Sequence, residues 1–168
     1  MPLGELNRVR RRLVEELKEE PVVKAGKVAL ARLMPEHAPV DEGLPELRVL
    51  CRSLEQVAGC ARAGAGFVYC DFEDLKEYRE AVKVAREGGM KVFLATPRIQ
   101  KPTETGFFKL VEKAEPDGVL VRNLGGVSYF KERGVNTVAD FALNVANPVS
   151  AALLMKHGNS GNFTVSYD

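Results

Sequence analysis

Short apolar runs alternate with amphipathic stretches over most of this chain. The runs average about 23 residues apart and are LRVLC (47–51), FVYC (67–70), KVFLA (91–95), GVLV (118–121), TVADF (137–141) and FTVS (163–166). They are rich in Val, Leu and Phe without strict alternation, which is typical of parallel strands buried on both faces. An amphipathic stretch of helical period follows each of the first five runs. The pattern therefore predicts six parallel strands joined by five helices.

Capping residues mark where several of these helices begin. Ser53 and Gln56 have the spacing of a capping box, and Asp74 and Glu77 repeat it. Asn147 precedes a proline, a pair typical of a helix N-cap and first helical position. We therefore expect helices to begin just after each of these caps.

The N-terminal part has a different pattern. Residues 3–19 form one predicted amphipathic helix, with apolar residues at steps of three and four: Leu3, Leu6, Val9, Leu13 and Leu17. Residues 20–46 contain four prolines and predict a connector with one short helix near 28–33. We therefore divide the chain into an N-terminal helix and connector (1–45) and an incomplete (β/α) barrel (46–168).

Two architectures can hold six strands and five helices, namely an open doubly wound sheet and a (β/α) barrel. A doubly wound nucleotide-binding protein has a Gly-rich turn after its first strand, but that turn here is CRSLEQ (51–56). Gly64-Ala65-Gly66 precedes a strand instead of opening a helix. The predicted fold class is therefore α/β. We expect a partial TIM-type (β/α) barrel of about six parallel strands in sequential order, with helices on the outer face only and a helical segment before it.

Polar side chains follow almost every predicted strand. In (β/α) barrels the carboxyl ends of the strands converge on one face, where binding sites are built. The candidate ligand-binding residues at this rim are Asp71, Glu73, Arg98, Arg122, Asn123, Asp140 and Asn144. Further polar residues after strands are Arg52, Thr96, Asn147, Ser166, Tyr167 and Asp168. Two interpretations are open: the charges pair with one another and close the barrel mouth, or the arginines bind an anionic or carbonyl-bearing ligand.

The strand order makes a specific prediction about Arg122. It should lie between Arg98 and Asp140, with Asn123 and Asn144 nearby, and should bond to Asp140. An incomplete barrel leaves the outer edges of its first and last strands unpaired. We therefore expect water at the Arg122–Asp140 pair, and we expect the chain to be marginally stable or to self-associate through those edges.

Composition narrows the functional classes. Lys plus Arg is 24 and Asp plus Glu is 23, a net charge of +1, which excludes global attraction to nucleic acid or anionic lipid. No apolar run approaches the roughly 20 residues of a membrane helix, so we expect no membrane partner. Three cysteines without C-x-x-C spacing do not indicate a disulfide framework. A cytoplasmic location fits them best.

Cys51 and Cys70 end neighbouring predicted strands and could approach a shared metal ion. A third ligand is missing, because His37 falls in the connector and His157 at a helix end. We therefore predict that these cysteines are buried apolar side chains and that this segment holds no metal. Two histidines at those positions support no Ser-His-Asp or Cys-His arrangement, so the catalytic residues are unknown.

Two segments carry a family resemblance. DGVLVRNLGG (117–126) and VADFALNVANP (138–148) resemble consecutive motifs of the collagenase-like peptidases, the thirty-second peptidase family, of unknown catalytic type. Members have a strand ending in VRN-L-G and then ADFSLNV-N one unit later; Ala142 stands where many members have Ser. FTVSYD (163–168) resembles the family's next strand. Residues 2–17 resemble the helix that joins an inserted domain to the second barrel segment of long members.

The resemblance implies a (β/α) barrel and a peptidase, a hydrolase acting on peptides. The family's cysteine-rich signature lies beyond the sixth strand, so the resemblance implies no cofactor in this segment, although an iron–sulfur cluster occurs in full-length relatives. Some of those relatives support hydroxylation of RNA or of quinone precursors. Three hypotheses follow: a fragment of a peptidase, an iron–sulfur-linked hydroxylation protein of the same family, and a non-catalytic barrel segment that binds a partner chain or nucleic acid.

Overall fold

The computed structural model describes residues 3–19, 44–101, 103–157 and 162–166. The chain divides into two units, Met1–Leu33 and Met34–Asp168. In the first, helix α1 (Leu3–Glu19) occupies the range that the sequence predicts. The short helix predicted near residues 28–33 lies outside the described residues. In the described ranges no helix is both long enough and apolar enough to cross a lipid bilayer.

The described residues of the second unit form a six-stranded parallel sheet in the order β1 to β6. The strands are β1 (Val49–Cys51), β2 (Phe67–Cys70), β3 (Lys91–Ala95), β4 (Gly118–Val121), β5 (Thr137–Ala139) and β6 (Asn162–Phe163). The helices between them are α2 (Leu54–Arg62), α3 (Tyr78–Glu87), α4 (Gly106–Lys113), α5 (Leu124–Glu132) and α6 (Pro148–His157). The sheet curls into a half-barrel, so the predicted partial (β/α) barrel and its sequential strand order are confirmed.

The two faces of the sheet carry separate apolar clusters. One cluster combines strand residues with residues of the helices. The other, which we call the interior cluster, contains residues of the strands alone: Phe67, Phe93, Ala95, Leu120 and Val138, with Tyr69 packed against them. In the described part of the chain, helices therefore cover one face and the curled sheet encloses the other. This is the arrangement of a barrel and not of an open sheet with helices on both sides.

The capping signals act largely as the sequence predicts. The Ser53 hydroxyl accepts a hydrogen bond from the amide of Gln56, and the Gln56 side chain accepts one from the amide of Arg52. The Asn147 side chain accepts bonds from the amides of the first turn of α6. Asp74 differs from expectation, because it caps the 3₁₀ turn Leu75–Glu77 and α3 begins only afterwards.

Candidate functional site

Charged side chains lie on the interior face of the sheet, just beyond the ends of three strands. Asp71 lies two residues after Tyr69 of the interior cluster, and Arg122 and Asp140 stand in the same relation to other members of that cluster. Side chains two apart along a strand point to the same face. We call these three residues the Asp–Arg–Asp cluster. The sheet curl brings them together at the carboxyl ends of β2, β4 and β5.

Arg122 is held by both carboxylates. Its Nε lies 2.7 Å from Oδ2 of Asp140, which confirms the predicted pair. Its Nη1 and Nη2 donate to Oδ1 and Oδ2 of Asp71 at 2.6 and 3.0 Å, a bidentate contact that the sequence analysis did not predict. Hydrogen bonds thus engage the Nε side and the Nη1/Nη2 side of the guanidinium, and they fix its orientation toward the barrel interior.

The cluster is drier than the sequence analysis expects. Arg122 is 7% exposed and Asp140 5% exposed, so the expectation of a wet pair is wrong. The reason is its position, because β2, β4 and β5 are not the edge strands of the described sheet. Burial alone would lower the pKa of Arg122, but its hydrogen bonds to the two carboxylates outweigh that effect and raise the pKa. The arginine is therefore a buried, permanently charged group with two charged partners.

The backbone around the cluster is fixed by neighbouring side chains. The amide of Arg122 donates to Oγ1 of Thr96 at 3.0 Å. Asn123 donates from Nδ2 to the carbonyl of Pro97 at 2.8 Å, while its Oδ1 accepts from the amide of Gly126 at 2.7 Å. Asn123 therefore caps α5 and ties it to the loop after β3. Both polar atoms of its side chain are thus engaged in bonds within the chain.

The other predicted rim residues are more exposed. The guanidinium of Arg98 lies over the Phe141 ring, 4.6 Å from its centroid. Asn144 adopts a left-handed conformation, with φ of 54°, and ends the 3₁₀ turn after β5. Glu73 is exposed on the loop after β2. Tyr167 and Asp168 lie outside the described residues. The structure thus joins Asp71, Arg122 and Asp140 by hydrogen bonds. Glu73, Arg98 and Asn144 are exposed and are not part of this cluster.

Arg52 is a further cation at the mouth. Its Nη1 lies 3.3 Å from Oδ2 of Asp71, and its side chain is 65% exposed. A cleft of about 510 Å³ runs from there along the interior face. Arg48, Tyr69 and Asn162 contribute polar groups to its lining, and Nη1 of Arg48 donates to the Tyr69 hydroxyl at 3.2 Å. The cleft therefore offers mostly hydrogen-bond donors, which suit anionic or carbonyl-bearing groups.

The cysteines lie on the opposite, helix-covered face. Cys51 and Cys70 are fully buried partners across β1 and β2, and burial raises the pKa of each to about 12. Their environment is apolar, as the sequence analysis predicts for buried fillers. The sequence analysis missed Cys60, whose Sγ lies 3.6 Å from that of Cys51. Its signal was the helical spacing from the fully buried Val57, which places Cys60 on the same side of α2.

The raised thiol pKa values predict a loss of stability in alkali. A thiol whose pKa rises on folding stabilises the fold fully below its unfolded pKa of 9.0, and the contribution is lost as pH rises toward about 12. With reductant present, we expect the unfolding free energy to fall by about 1–2 kcal/mol per buried thiol between pH ~8 and ~10.5. Urea titrations at the two pH values measure it. Cys70→Ala should make the unfolding free energy depend less on pH, whatever the change does to stability at neutral pH. An unchanged dependence would contradict the raised pKa of the Cys70 thiol.

The charged groups that meet at the mouth are arginines and aspartates. Within the described ranges no group of three or more His, Cys, Asp or Glu side chains is arranged to hold a metal ion. His157 is the last residue of α6. Comparison of the sequence with models of known protein families and with curated proteins finds no match.

Proposed function

We propose that this chain is the barrel segment of a collagenase-like peptidase, and that its mouth binds a peptide substrate. The observation that carries the proposal is the Arg122–Asp140 bond, because it joins the two segments in which the resemblance resides. Both residues lie at the carboxyl ends of strands, where (β/α) barrels build their sites. The three reduced cysteines are consistent with a cytoplasmic peptidase.

In this proposal the buried cluster positions the site and the exposed arginines contact the peptide. The guanidinium of Arg122 is engaged by two carboxylates and has few donors left for a ligand. Arg52 and Arg98 are exposed and present guanidinium groups at the same end of the barrel. They suit peptide carbonyls and acidic side chains, while the interior cleft accommodates an apolar side chain against Leu50 and Leu120. The proposal assigns substrate binding, and no bond-breaking step, to this segment.

A peptide-binding measurement tests the proposal. Fluorescently labelled peptides with acidic, neutral and basic side chains are titrated with the whole chain, and anisotropy reports the Kd. We expect acidic peptides to bind most tightly and the double variant Arg52→Ala, Arg98→Ala to weaken them about 10-fold, since two exposed charge pairs together contribute about 1–2 kcal/mol. Arg79→Ala, an exposed arginine on α3, is the matched control and should leave the Kd unchanged. Equal binding by both variants, or none by the parent chain, would contradict the proposal.

A second candidate is a non-catalytic binding segment. It is favoured by the saturation of the Asp–Arg–Asp cluster, whose charges already satisfy one another. Incubation of bound peptides with the chain separates the two, because new amino termini indicate hydrolysis and their absence favours binding alone.

The iron–sulfur alternative predicts iron and sulfide in the purified protein, and binding of an RNA oligonucleotide that weakens with salt.

A further inference from the structure

Two cysteine sulfurs lie in contact on the helix-covered face of the sheet. Cys51 is the last residue of β1, and Cys60 lies near the end of α2, the next helix along the chain. Their Sγ atoms are 3.6 Å apart. The strand, the two-residue turn and the helix fix this approach, because Cys60 faces back onto the sheet beside Val57, which is fully buried. Neither thiol takes part in the mouth of the barrel.

We propose that Cys51 and Cys60 form an intramolecular disulfide when the protein meets a peroxide. A disulfide has a sulfur–sulfur distance of about 2.05 Å, so the two atoms must approach by about 1.5 Å. Rotation of the two side chains and a small shift of α2 can supply this, since α2 packs directly on β1. The inference is independent of the proposed function, because it concerns the other face of the sheet.

The surroundings of the pair decide which thiol reacts first. A cleft of about 410 Å³ beside β1 is lined by both cysteines. Cys51 is fully buried, and burial together with its contact to Cys60 raises the pKa of Cys51 to about 12. Cys60 is only partly buried. An oxidant entering the cleft therefore reaches Cys60, and Cys51 acts afterwards, on a partner already in contact with it.

The reaction balances with a peroxide as the oxidant. The thiolate of Cys60 attacks one oxygen of hydrogen peroxide, the O–O bond breaks, and the products are a sulfenic acid on Cys60 and hydroxide, which takes a proton to become water. The Cys51 sulfur then attacks the sulfenic sulfur. The S–S bond forms, the S–O bond breaks, and the hydroxyl leaves as water with the Cys51 proton. The two thiols lose two electrons and two protons in total, and the peroxide is reduced to two waters.

Cys70 is the third cysteine of the chain and is paired with Cys51 across strands β1 and β2. It could compete for Cys51, and it is therefore the internal comparison. Cys70 is fully buried beneath the helices, and burial raises the pKa of its thiol to about 12. The sulfur contact of Cys51 is to Cys60. The proposal thus names one of the three pairings that three cysteines permit.

A peptide map of the wild-type chain separates these pairings. Trypsin places each cysteine in its own fragment, with Cys51 in residues 49–52, Cys60 in 53–62 and Cys70 in 63–76. After treatment with hydrogen peroxide and alkylation under denaturing conditions, we expect titratable thiols to fall from three to one per chain. We expect fragment 49–52 to be linked to 53–62, and dithiothreitol to restore three thiols. Three remaining thiols, a link to fragment 63–76 or a disulfide-linked dimer would each overturn the proposal.

Two variants sharpen the result. Cys70→Ala should still lose two thiols and give the same linked fragments. Cys60→Ser should keep both remaining thiols reduced at the same peroxide dose, because Cys51 and Cys70 are themselves fully buried. Loss of the link in Cys70→Ala would overturn the proposal, as would oxidation of Cys51 at an undiminished rate in Cys60→Ser. If either variant fails to fold, the map of the unaltered chain decides the question alone.

Discussion

Asp140→Asn should lower the free energy of unfolding by about 2–4 kcal/mol, because it removes one charge from a buried ion pair and leaves the other in place. Arg122 is 7% exposed and its Nε bonds to Asp140 at 2.7 Å. Asparagine keeps the shape and one acceptor oxygen, and Asp71 still holds the far edge of the guanidinium. The loss should therefore fall below that of deleting the side chain. Urea denaturation at neutral pH measures it.

An exposed ion pair on the same chain provides the control. Lys83 and Glu80 lie 3.3 Å apart on α3, with side chains 62% and 53% exposed. Glu80→Gln removes one charge in the same way but in water, so the expected change is about 0.5 kcal/mol or less. Losses of similar size in the two variants would show that burial does not govern the Arg122 pair. A loss below ~1 kcal/mol for Asp140→Asn would show that water reaches the cluster despite its position.

The sequence was sufficient for the fold because its signals are local and repeated. Each apolar run becomes a strand, and caps such as Ser53 and Asn147 start helices where the spacing predicts them. Some boundaries differ from those of the predicted runs and helices. Asp74 caps a 3₁₀ turn before α3, and Asp140 opens another such turn, so β5 ends at Ala139 and is shorter than the predicted run.

The site was predicted only where it depends on adjacent strands. Arg122 and Asp140 follow β4 and β5, which are neighbours, so strand order alone brings them together. Asp71 follows β2, two strands away from β4, and reaches Arg122 only because the sheet curls. Each of the three residues lies two positions after an interior-cluster residue of its strand, and this spacing could have predicted that all three share the interior face. Self-association through the outer edges of β1 and β6 stays a prediction.

The contact between Gly118 and Phe93 illustrates what no sequence pattern reveals. They are partners across β3 and β4, and the Phe93 ring lies over the glycine on the interior face. A Cβ atom built on Gly118 would overlap Cε1 and Cζ of that ring and lie 2.7 Å from Cδ1. The ring has little room to retreat, because it is 5% exposed and its centroid is 4.8 Å from that of Phe67. The position therefore requires glycine for space and not for backbone conformation.

Gly118→Ala should consequently destabilise the barrel by about 1–3 kcal/mol, the usual cost of overfilling a packed core. Gly106→Ala is the matched control, since Gly106 begins α4 and nothing lies within 4 Å of an added Cβ; it should be neutral or slightly stabilising because alanine favours helix. Phe93→Leu removes ring atoms that the new methyl group would meet. Combined with Gly118→Ala, it should cost less than the two single changes added together, a coupling that urea titrations of all four chains would measure. Strict additivity would show that the methyl group is accommodated elsewhere and that the Phe93 ring does not set the requirement for glycine.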